Sequence, residues 1–164
     1  SFGQGMAVTP LQLISAVAAV ANGGHLMRPH VVAGWMQEGG LQSTKPTLVR
    51  QVISPASARQ LTEMLVQVVQ RQVPAALVPG YRVAGKTGTA QIPIPGGYHP
   101  KDTIASFVGY LPAESPRIII LVKIDKPKSS PWGRDVAAPV FSRIAKRACH
   151  LLDIPPQDAL LARR

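Results

Sequence analysis

Three stretches of the chain place apolar residues at the spacing of an α-helix, and each stretch opens with a helix start signal. Thr9, followed by a proline, predicts a helix over residues 10–22, after which a glycine supplies a left-handed stop. Ser54, again followed by a proline, predicts a second helix over residues 55–71. A third helix is predicted over residues 136–152, with a proline tolerated in its first turn.

The same spacing predicts which faces of the second and third helices are buried. Residues three and four apart form one apolar stripe on each helix, at Ala58, Leu61, Leu65 and Val68 and at Phe141, Ile144, Ala148 and Leu151. Cys149 is the only cysteine and lies on the amphipathic third helix. We therefore interpret it as a buried small hydrophobic residue rather than a reactive thiol.

Strand signals cluster between the second and third helices. Extended runs at residues 81–91, 103–111 and 117–125 are joined by loops rich in proline and glycine at residues 92–102 and 112–116. Connections of this kind join neighbouring antiparallel strands. The runs therefore predict a three-stranded antiparallel meander.

The last of these runs is apolar without alternation at residues 118–122. Such a strand has both faces covered and normally lies inside a sheet, whereas the last strand of a meander is an edge. We therefore expect a further strand from elsewhere to pair with it. Together with short extended pieces at residues 30–36 and 49–53, the pattern predicts an α/β (α+β) fold with an antiparallel sheet flanked by helices.

Composition and charge limit the kinds of partner. Hydrophobic residues make up 46% of the 164 residues and charged residues only 16%, against about 25% charged in an average soluble domain. This favours an apolar surface that something else covers. The net charge is +10, but the basic residues are scattered singly and aromatic residues are few, so the pattern argues against nucleic acid and for a nearby anionic lipid or cell-wall polymer.

Other classes of function receive no support from the sequence. The longest apolar segment, residues 11–21, is too short to cross a bilayer. The four histidines show no metal-ligand spacing, so we predict neither a metal nor a cofactor.

Residues 80–87 match the nucleotide-binding P-loop pattern G-x-x-x-x-G-K-[ST] in full. A P-loop needs a strand before its first glycine and a helix that begins at the Lys-Thr pair. Residues 73–79 instead contain two prolines, and the prolines and glycines of residues 92–97 stop any helix within two turns. A P-loop nucleotidase is therefore only a remote alternative.

The same lysine also lies on a predicted strand with a functional face. Side chains alternate along residues 82–91, so Lys86 points opposite to Thr87, which shares a face with Thr89. The lysine supplies a positive charge, and the threonine hydroxyls can bind a carboxylate. Gly88 lets a ligand backbone lie against the strand edge. In isolation, an ordinary Thr-rich strand with one solvated lysine would have the same sequence.

Several further sequence segments, in a fixed order on both sides of this strand, make the motif more specific. Gly3-Gln4-Gly5, residues 8–12, 19–24 and 28–29 precede Lys86-Thr87-Gly88-Thr89-Ala90, and residues 105–113 and 137–141 follow it. The series resembles the transpeptidase domain of class B penicillin-binding proteins, most closely the cell-division type. The resemblance covers nearly all of the chain, and several matched segments in the right order are more specific than any one motif.

The resemblance implies a fold, an activity and a location. The fold would be the C-terminal portion of the penicillin-binding/serine β-lactamase-like transpeptidase fold. In this family an active-site serine attacks a D-Ala-D-Ala stem peptide of peptidoglycan, releases D-Ala and passes the acyl group to an amine, and β-lactams acylate the same serine. The location would be the bacterial cell envelope, at the outer face of the cytoplasmic membrane.

The resemblance also implies roles for particular residues. Lys86 would belong to the proton and charge network around the nucleophile. Thr87 and Thr89 would hold the terminal carboxylate of the substrate beside Gly88, with the Thr89 N–H in the oxyanion hole. Trp132 would form an aromatic wall beside the ligand or, as a plain loop aromatic, pack on the last helix. Two further residues would border the cleft, Tyr98 and Thr103.

Two motifs of the family are missing. Ser-x-x-Lys, which carries the nucleophile, and Ser-x-Asn occur nowhere in the 164 residues. We therefore expect residues 1–164 to be the C-terminal part of one transpeptidase domain, with the nucleophile and the membrane anchor outside this chain. The alternative is a non-catalytic binding or scaffold module that kept the fold. The expected partners are the remainder of the domain, stem peptides, β-lactams and division or cell-wall synthesis proteins.

Overall fold

The computed structural model describes residues 6–156, which leaves the Gly3-Gln4-Gly5 segment outside the described part. The helices are α1 (Pro10–Ala21), α2 (Pro55–Gln72), α3 (Gly133–Val136) and α4 (Ala138–Leu151), with a 3-10 turn at Pro74–Ala76. The strands are β1 (His25–Met27), β2 (Gly34–Gln37), β3 (Gly40–Ser43), β4 (Leu48–Gln51), β5 (Ala84–Ile94), β6 (Gly97–Leu111) and β7 (Ile118–Asp125). No helix in residues 6–156 is long and apolar enough to cross a membrane.

Side-chain caps form the predicted starts of α1 and α2. The Gln12 N–H donates to Thr9 Oγ1 at 3.2 Å, and the Thr9 N–H donates to Gln12 Oε1 at 2.9 Å, which together make a capping box. Gly23, with a φ of 63°, follows the end of α1. The Ser57 N–H donates to Ser54 Oγ at 3.0 Å and opens α2. Both predicted starts are confirmed.

The buried face of α2 differs in part from the predicted stripe. Ala58, Val66 and Val69 are buried, whereas Leu61 is 37% exposed, so the prediction was wrong for Leu61. The helix lies against both α1 and β5, and its inner face therefore follows two neighbours rather than one stripe.

The buried face of α4 is also rotated from the prediction. Phe141, Ala145 and Cys149 recur every fourth residue and are buried, but Ile144 and Leu151 are exposed. Small side chains at 145 and 149 let the helix lie close to the sheet around the phenylalanine, and this close approach sets the rotation of the helix. The predicted burial of Cys149 is confirmed, and that of Ile144 and Leu151 was wrong.

β5, β6 and β7 form one antiparallel sheet in chain order, as the meander predicted. The predicted bounds were less accurate. β5 begins at Ala84, and the predicted loop at residues 92–102 is mostly strand, because β5 runs to Ile94 and β6 starts at Gly97. Pro93 is tolerated because β5 is an edge strand among the described strands and its pairing with β6 is irregular between Gln91 and Pro93, while Pro95 lies in the turn between the two strands.

Different helices cover the two faces of this sheet. On one face Phe107 packs against Phe141 of α4, with ring centroids 4.7 Å apart. On the other face Tyr110 is fully buried below α1 and α2, and its hydroxyl lies 2.7 Å from Thr62 Oγ1. Burial raises the pKa of Tyr110, so the phenol stays protonated as a hydrogen-bonding group.

The apolar run of β7 is explained by these two layers. Ile118, Ile120 and Ile124 pack against the cluster under α4, and Ile119 packs against the cluster of Tyr110. Among the described strands, β7 is hydrogen-bonded only to β6. The further strand expected on its open edge stays a prediction.

Residues 25–51 form two small sheets in place of the two predicted extended pieces. β1 pairs with β4, and β2 pairs with β3 in a tight hairpin. Within the part of the chain that the structure describes, β2 and β3 pair with no other strand. The hairpin carries exposed apolar side chains at Trp35, Met36 and Leu41.

The rotation of α4 can be tested by alanine substitution. Phe141→Ala should lower the free energy of unfolding by about 3–5 kcal/mol, because it opens a cavity beside Phe107. Ile144→Ala, on the exposed side of the same helix, is the matched control and should cost about 0.5 kcal/mol or less. Urea denaturation followed by circular dichroism measures both. Equal losses would contradict the observed rotation.

The burial of Cys149 predicts that its thiol reacts slowly with alkylating reagents. The residue is 2% exposed, and burial raises the pKa of its thiol, which leaves little thiolate. Iodoacetamide at mildly alkaline pH should therefore label the unfolded chain much faster than the folded one, as mass spectrometry can follow. Because the folded pKa is raised, the contribution of this thiol to stability is complete below its ordinary pKa of about 8.5 and is lost as the pH rises through the folded value. Labelling of the folded chain at the unfolded rate would refute the assignment.

Candidate active site

Consecutive residues of β5 carry the candidate chemistry. Alternation along the strand places Lys86 and Gly88 on one face and Thr87 and Thr89 on the other, as predicted. β6 is the only described strand that pairs with β5. The outer edge of β5 is therefore open to an extended ligand, which could align its backbone with the strand.

A cleft of about 1200 Å³ lies along this strand. Its walls come from the start of α1, the middle of β5, the cleft face of β6 and β7, and the loop before α3. The lining includes residues 6–10, Lys86 through Gln91, Ile104, Ser106, Leu121, Lys123 and Trp132 through Arg134. Five of the seven predicted site residues line this cleft: Lys86, Thr87, Gly88, Thr89 and Trp132.

The cleft has a positive character. Lys86 is exposed, and its Nζ donates to the Thr87 carbonyl at 3.3 Å. Among residues 6–156 no carboxylate forms an ion pair with it. Lys123 lines the same cleft and is paired with Asp125. An unpaired ammonium group in a cleft suits an anionic ligand or a developing negative charge.

Thr89 is in contact with the loop before α3. The Gly133 N–H donates to Thr89 Oγ1 at 3.3 Å. A Cβ on Gly133 would lie 2.2 Å from the Ser106 carbonyl oxygen and 2.7 Å from that of Gly88, so no other residue fits here without moving the loop. This close approach brings the loop directly against β5 and β6.

Trp132 lies in the wall of the cleft and is 52% exposed. It directly precedes α3, and its role as an aromatic wall beside a ligand stays a prediction. A half-exposed indole beside a cleft offers an apolar surface for a ligand to pack against.

Thr103 and Tyr98 do not line the cleft in the described part of the chain. Thr103 is buried, and its Oγ1 donates to the Pro131 carbonyl at 3.1 Å, so it braces the loop that carries the tryptophan. Tyr98 lies opposite Pro93 near the tip of the β5–β6 hairpin and is 43% exposed.

Arg82 fixes the chain just before β5. Its guanidinium pairs with Glu63 of α2 at 2.6 Å and with Glu114 at 2.5 Å. The hydrogen bond to Glu63 is the main reason that the pKa of Arg82 rises above its already high value. The two pairs are partly exposed and so contribute little individually, but through Arg82 they join α2, the segment before β5 and the loop after β6.

The P-loop alternative is excluded. Lys86 and Thr87 lie inside β5, and no helix begins at them. Before Gly80 the chain forms a turn closed by an isolated bridge between Val78 and Tyr81, not a strand. The helix N-terminus and the cradle of N–H groups that a phosphate needs are therefore not formed here.

Sequence reasoning missed several residues of the cleft. Ser106 and Lys123 face it from β6 and β7, in register with Gly88. Alignment of the three strands by their alternation could have found them. The only sequence feature that could have identified Gly133 as a cleft residue is its position directly after Trp132. Within residues 6–156, no side-chain hydrogen bond links the Ser106 hydroxyl to a base, so the structure gives this serine no activating partner.

Comparison with known proteins agrees with this geometry. The family described as penicillin binding protein transpeptidase domain matches residues 1–146. Stage V sporulation protein D of Bacillus subtilis is 38% identical over 96% of the chain and 25% of its own length. The probable peptidoglycan D,D-transpeptidase PbpC of Pseudomonas aeruginosa is 37% identical over 96% of the chain and 27% of its own length.

A solved structure shows the same fold. Penicillin-binding protein 3 of Mycobacterium tuberculosis, determined in complex with ampicillin, superposes with a TM-score of 0.82 at 32% identity. The match covers 94% of this chain and 37% of that one. The chain spans about a quarter of the length of the two curated relatives. With the family match over residues 1–146, these likenesses show that the chain belongs to the penicillin-binding protein transpeptidase domain family.

Proposed function

We propose that this chain forms the substrate-binding wall of a peptidoglycan D,D-transpeptidase of the bacterial cell envelope. The observation that carries the proposal is the row from Lys86 to Thr89, which lies along a cleft on the edge strand of the described sheet and presents threonine hydroxyls and an ammonium group that no described carboxylate pairs with. The substrate would be a stem peptide that ends in D-Ala-D-Ala, and β-lactams would occupy the same place.

The reaction is an acyl transfer in two steps. A serine oxygen attacks the carbonyl carbon of the penultimate D-Ala, the bond to the terminal D-Ala breaks, and the serine proton passes to the departing amine. An amine of a second stem peptide then attacks the new ester. The amide bond forms as the ester bond to the serine oxygen breaks, and a proton from the attacking amine passes to that oxygen.

Each residue of the row has a distinct role in this proposal. The Lys86 ammonium belongs to the network that moves the serine proton and stabilises developing negative charge. Thr87 and Thr89 donate hydroxyl protons to the terminal carboxylate. The Thr89 N–H binds the oxyanion of the tetrahedral intermediate. Gly88 leaves the ligand backbone room beside the strand.

Three residues beyond this row act at the border of the site. Trp132 provides the apolar wall beside the ligand, in keeping with its half-exposed ring in the cleft. Thr103 acts from beneath by bracing the loop at Pro131. Tyr98 lies at the hairpin tip, outside the cleft lining, and would reach only a large ligand that extends along the strand.

We place the nucleophile outside the 164 residues. Neither Ser-x-x-Lys nor Ser-x-Asn occurs in them, and the cleft serine has no activating partner among the described residues. The remainder of the domain would complete the cleft and pair with the open edge of β7. Proteins of division or cell-wall synthesis are the further partners proposed.

Labelling with a fluorescent penicillin tests where the nucleophile lies. The 164-residue chain alone should acquire no covalent label. A chimera should be labelled once per molecule when this chain replaces the matching segment in the transpeptidase domain of M. tuberculosis penicillin-binding protein 3. Stoichiometric labelling of the chain alone, abolished by Ser106→Ala, would refute the placement.

The role of Lys86 can be tested in the same chimera. Lys86→Ala should slow acylation by about a hundredfold or more, the usual contribution of a group that moves a proton in the transition state. Lys45→Ala removes an exposed lysine from the loop between β3 and β4 and is the matched control, with no effect expected. Stopped-flow acylation rates give the comparison. A similar, small effect of both substitutions would remove Lys86 from the mechanism.

A further inference from the structure

The peptide unit between Trp132 and Gly133 is held at both ends. Its carbonyl oxygen accepts from the Asp135 N–H at 3.0 Å and the Val136 N–H at 3.3 Å. Its N–H donates to Thr89 Oγ1 at 3.3 Å. A trans peptide is planar, and its C=O and N–H point in opposite directions. Whatever fixes the carbonyl therefore also aims the N–H at the threonine.

Two side chains close a ring of hydrogen bonds around this peptide. Ser130 Oγ donates to Asp135 Oδ2 at 2.6 Å, a length typical of a bond to an ionised carboxylate. The same Oγ accepts from the Trp132 N–H at 3.3 Å. Asp135 is also 3.5 Å from Arg134 Nε through its other oxygen. The serine and the aspartate thus hold the backbone on both sides of the peptide that reaches Thr89.

This arrangement decides what the Thr89 hydroxyl can do. A threonine hydroxyl has one proton to donate and two lone pairs that accept. By accepting from the Gly133 N–H, it commits a lone pair toward the loop and keeps its proton for another partner. A carboxylate only accepts hydrogen bonds, so it requires a donor that already points toward it.

We propose that Ser130 and Asp135 are positioning residues for Thr89. They hold the Trp132–Gly133 peptide so that its N–H orients the threonine hydroxyl, which then presents its proton to the carboxylate of the bound substrate or β-lactam. The inference rests on the proposed function, in which Thr89 binds that carboxylate. It predicts that loss of a hydrogen bond made by Ser130 or Asp135 weakens binding of the carboxylate and leaves the rest of the site intact.

The experiment compares two ligands in the chimera that carries the full chain. Second-order acylation rates are measured for a penicillin and for its methyl ester, which lacks the negative charge. Ser130→Ala and Asp135→Asn should each lower the rate with the free acid by about tenfold, the effect of losing one hydrogen bond to a charged group. The rate with the ester should change by less than about twofold, because the ester carboxyl makes only a neutral hydrogen bond.

Three further variants complete the comparison. Ser129→Ala is the matched control, since in the described part of the chain this neighbouring hydroxyl makes no side-chain hydrogen bond, and it should leave both rates unchanged. Ser130→Thr keeps a hydroxyl and should restore the preference for the acid. Thr89→Val should lower the preference at least as far as the Ser130 and Asp135 variants do, with Thr87 supplying what remains, and Thr89→Ser should retain it in full.

The outcomes separate this inference from the function on which it rests. An unchanged preference in Ser130→Ala and Asp135→Asn, or an equal loss with both ligands, would overturn the positioning role. If Thr89→Val itself keeps the preference, the carboxylate role of Thr89 fails, and the inference fails with it. If the parent chimera is not acylated, the proposed function is refuted. If one of the variants Ser130→Ala and Asp135→Asn reacts with neither ligand, the rates of the other variant decide the test.

Discussion

The antiparallel ladder between β5 and β6 is the contact on which the rest of the structure depends. It brings Lys86 through Thr89 to the edge of the sheet and sets their alternation. It also pairs Phe107 with Thr87, which turns Phe107 to the face of the sheet away from Lys86, where the phenylalanine of α4 packs against it. Strand pairing thus decides at once which side chains enter the cleft and which form the core.

A second constraint is the close approach of the loop before α3 to this ladder. At Gly133 the loop has no room for a side chain, because the carbonyl oxygens of Ser106 and Gly88 lie directly beneath it. The loop therefore cannot drift away from β5 without breaking its hydrogen bond to Thr89. The position of the loop is thus set by backbone packing, and a loop that moved by an ångström would lose this hydrogen bond.

The sequence predicted the three long helices, the β5–β7 meander and the central motif, but not the two small sheets of residues 25–51 or the contacts between elements. Caps and prolines mark the starts of α1 and α2 because these signals act through neighbouring residues alone. The rotation of α4 could not be predicted, because it depends on how closely Ala145 and Cys149 let the helix approach a sheet formed elsewhere in the chain. The extension of the hairpin past Pro93 was missed for the same reason, since pairing with β6 outweighs the local preference of prolines and glycines for a loop.

The candidate site shows the same division. Lys86, Thr87 and Thr89 line the cleft together and could be selected from the sequence, because they are close neighbours in one short motif. Ser106 and Lys123 were missed because their place in the cleft depends on register across three strands. Thr103 lies beneath the loop and not in the cleft lining, since alternation along β6 turns its side chain to the buried face.

The two tryptophans of the chain occupy separate elements, and this gives the protein an optical property. Trp35 lies on the β2–β3 hairpin, which pairs with no other described strand, and Trp132 lies in the cleft wall. Both indoles are about half exposed, so the tryptophan fluorescence of the folded chain is the sum of one emitter outside the described cleft lining and one within it. Without Trp35, the remaining emission would come from the cleft alone, and its quenching would report directly on what enters there.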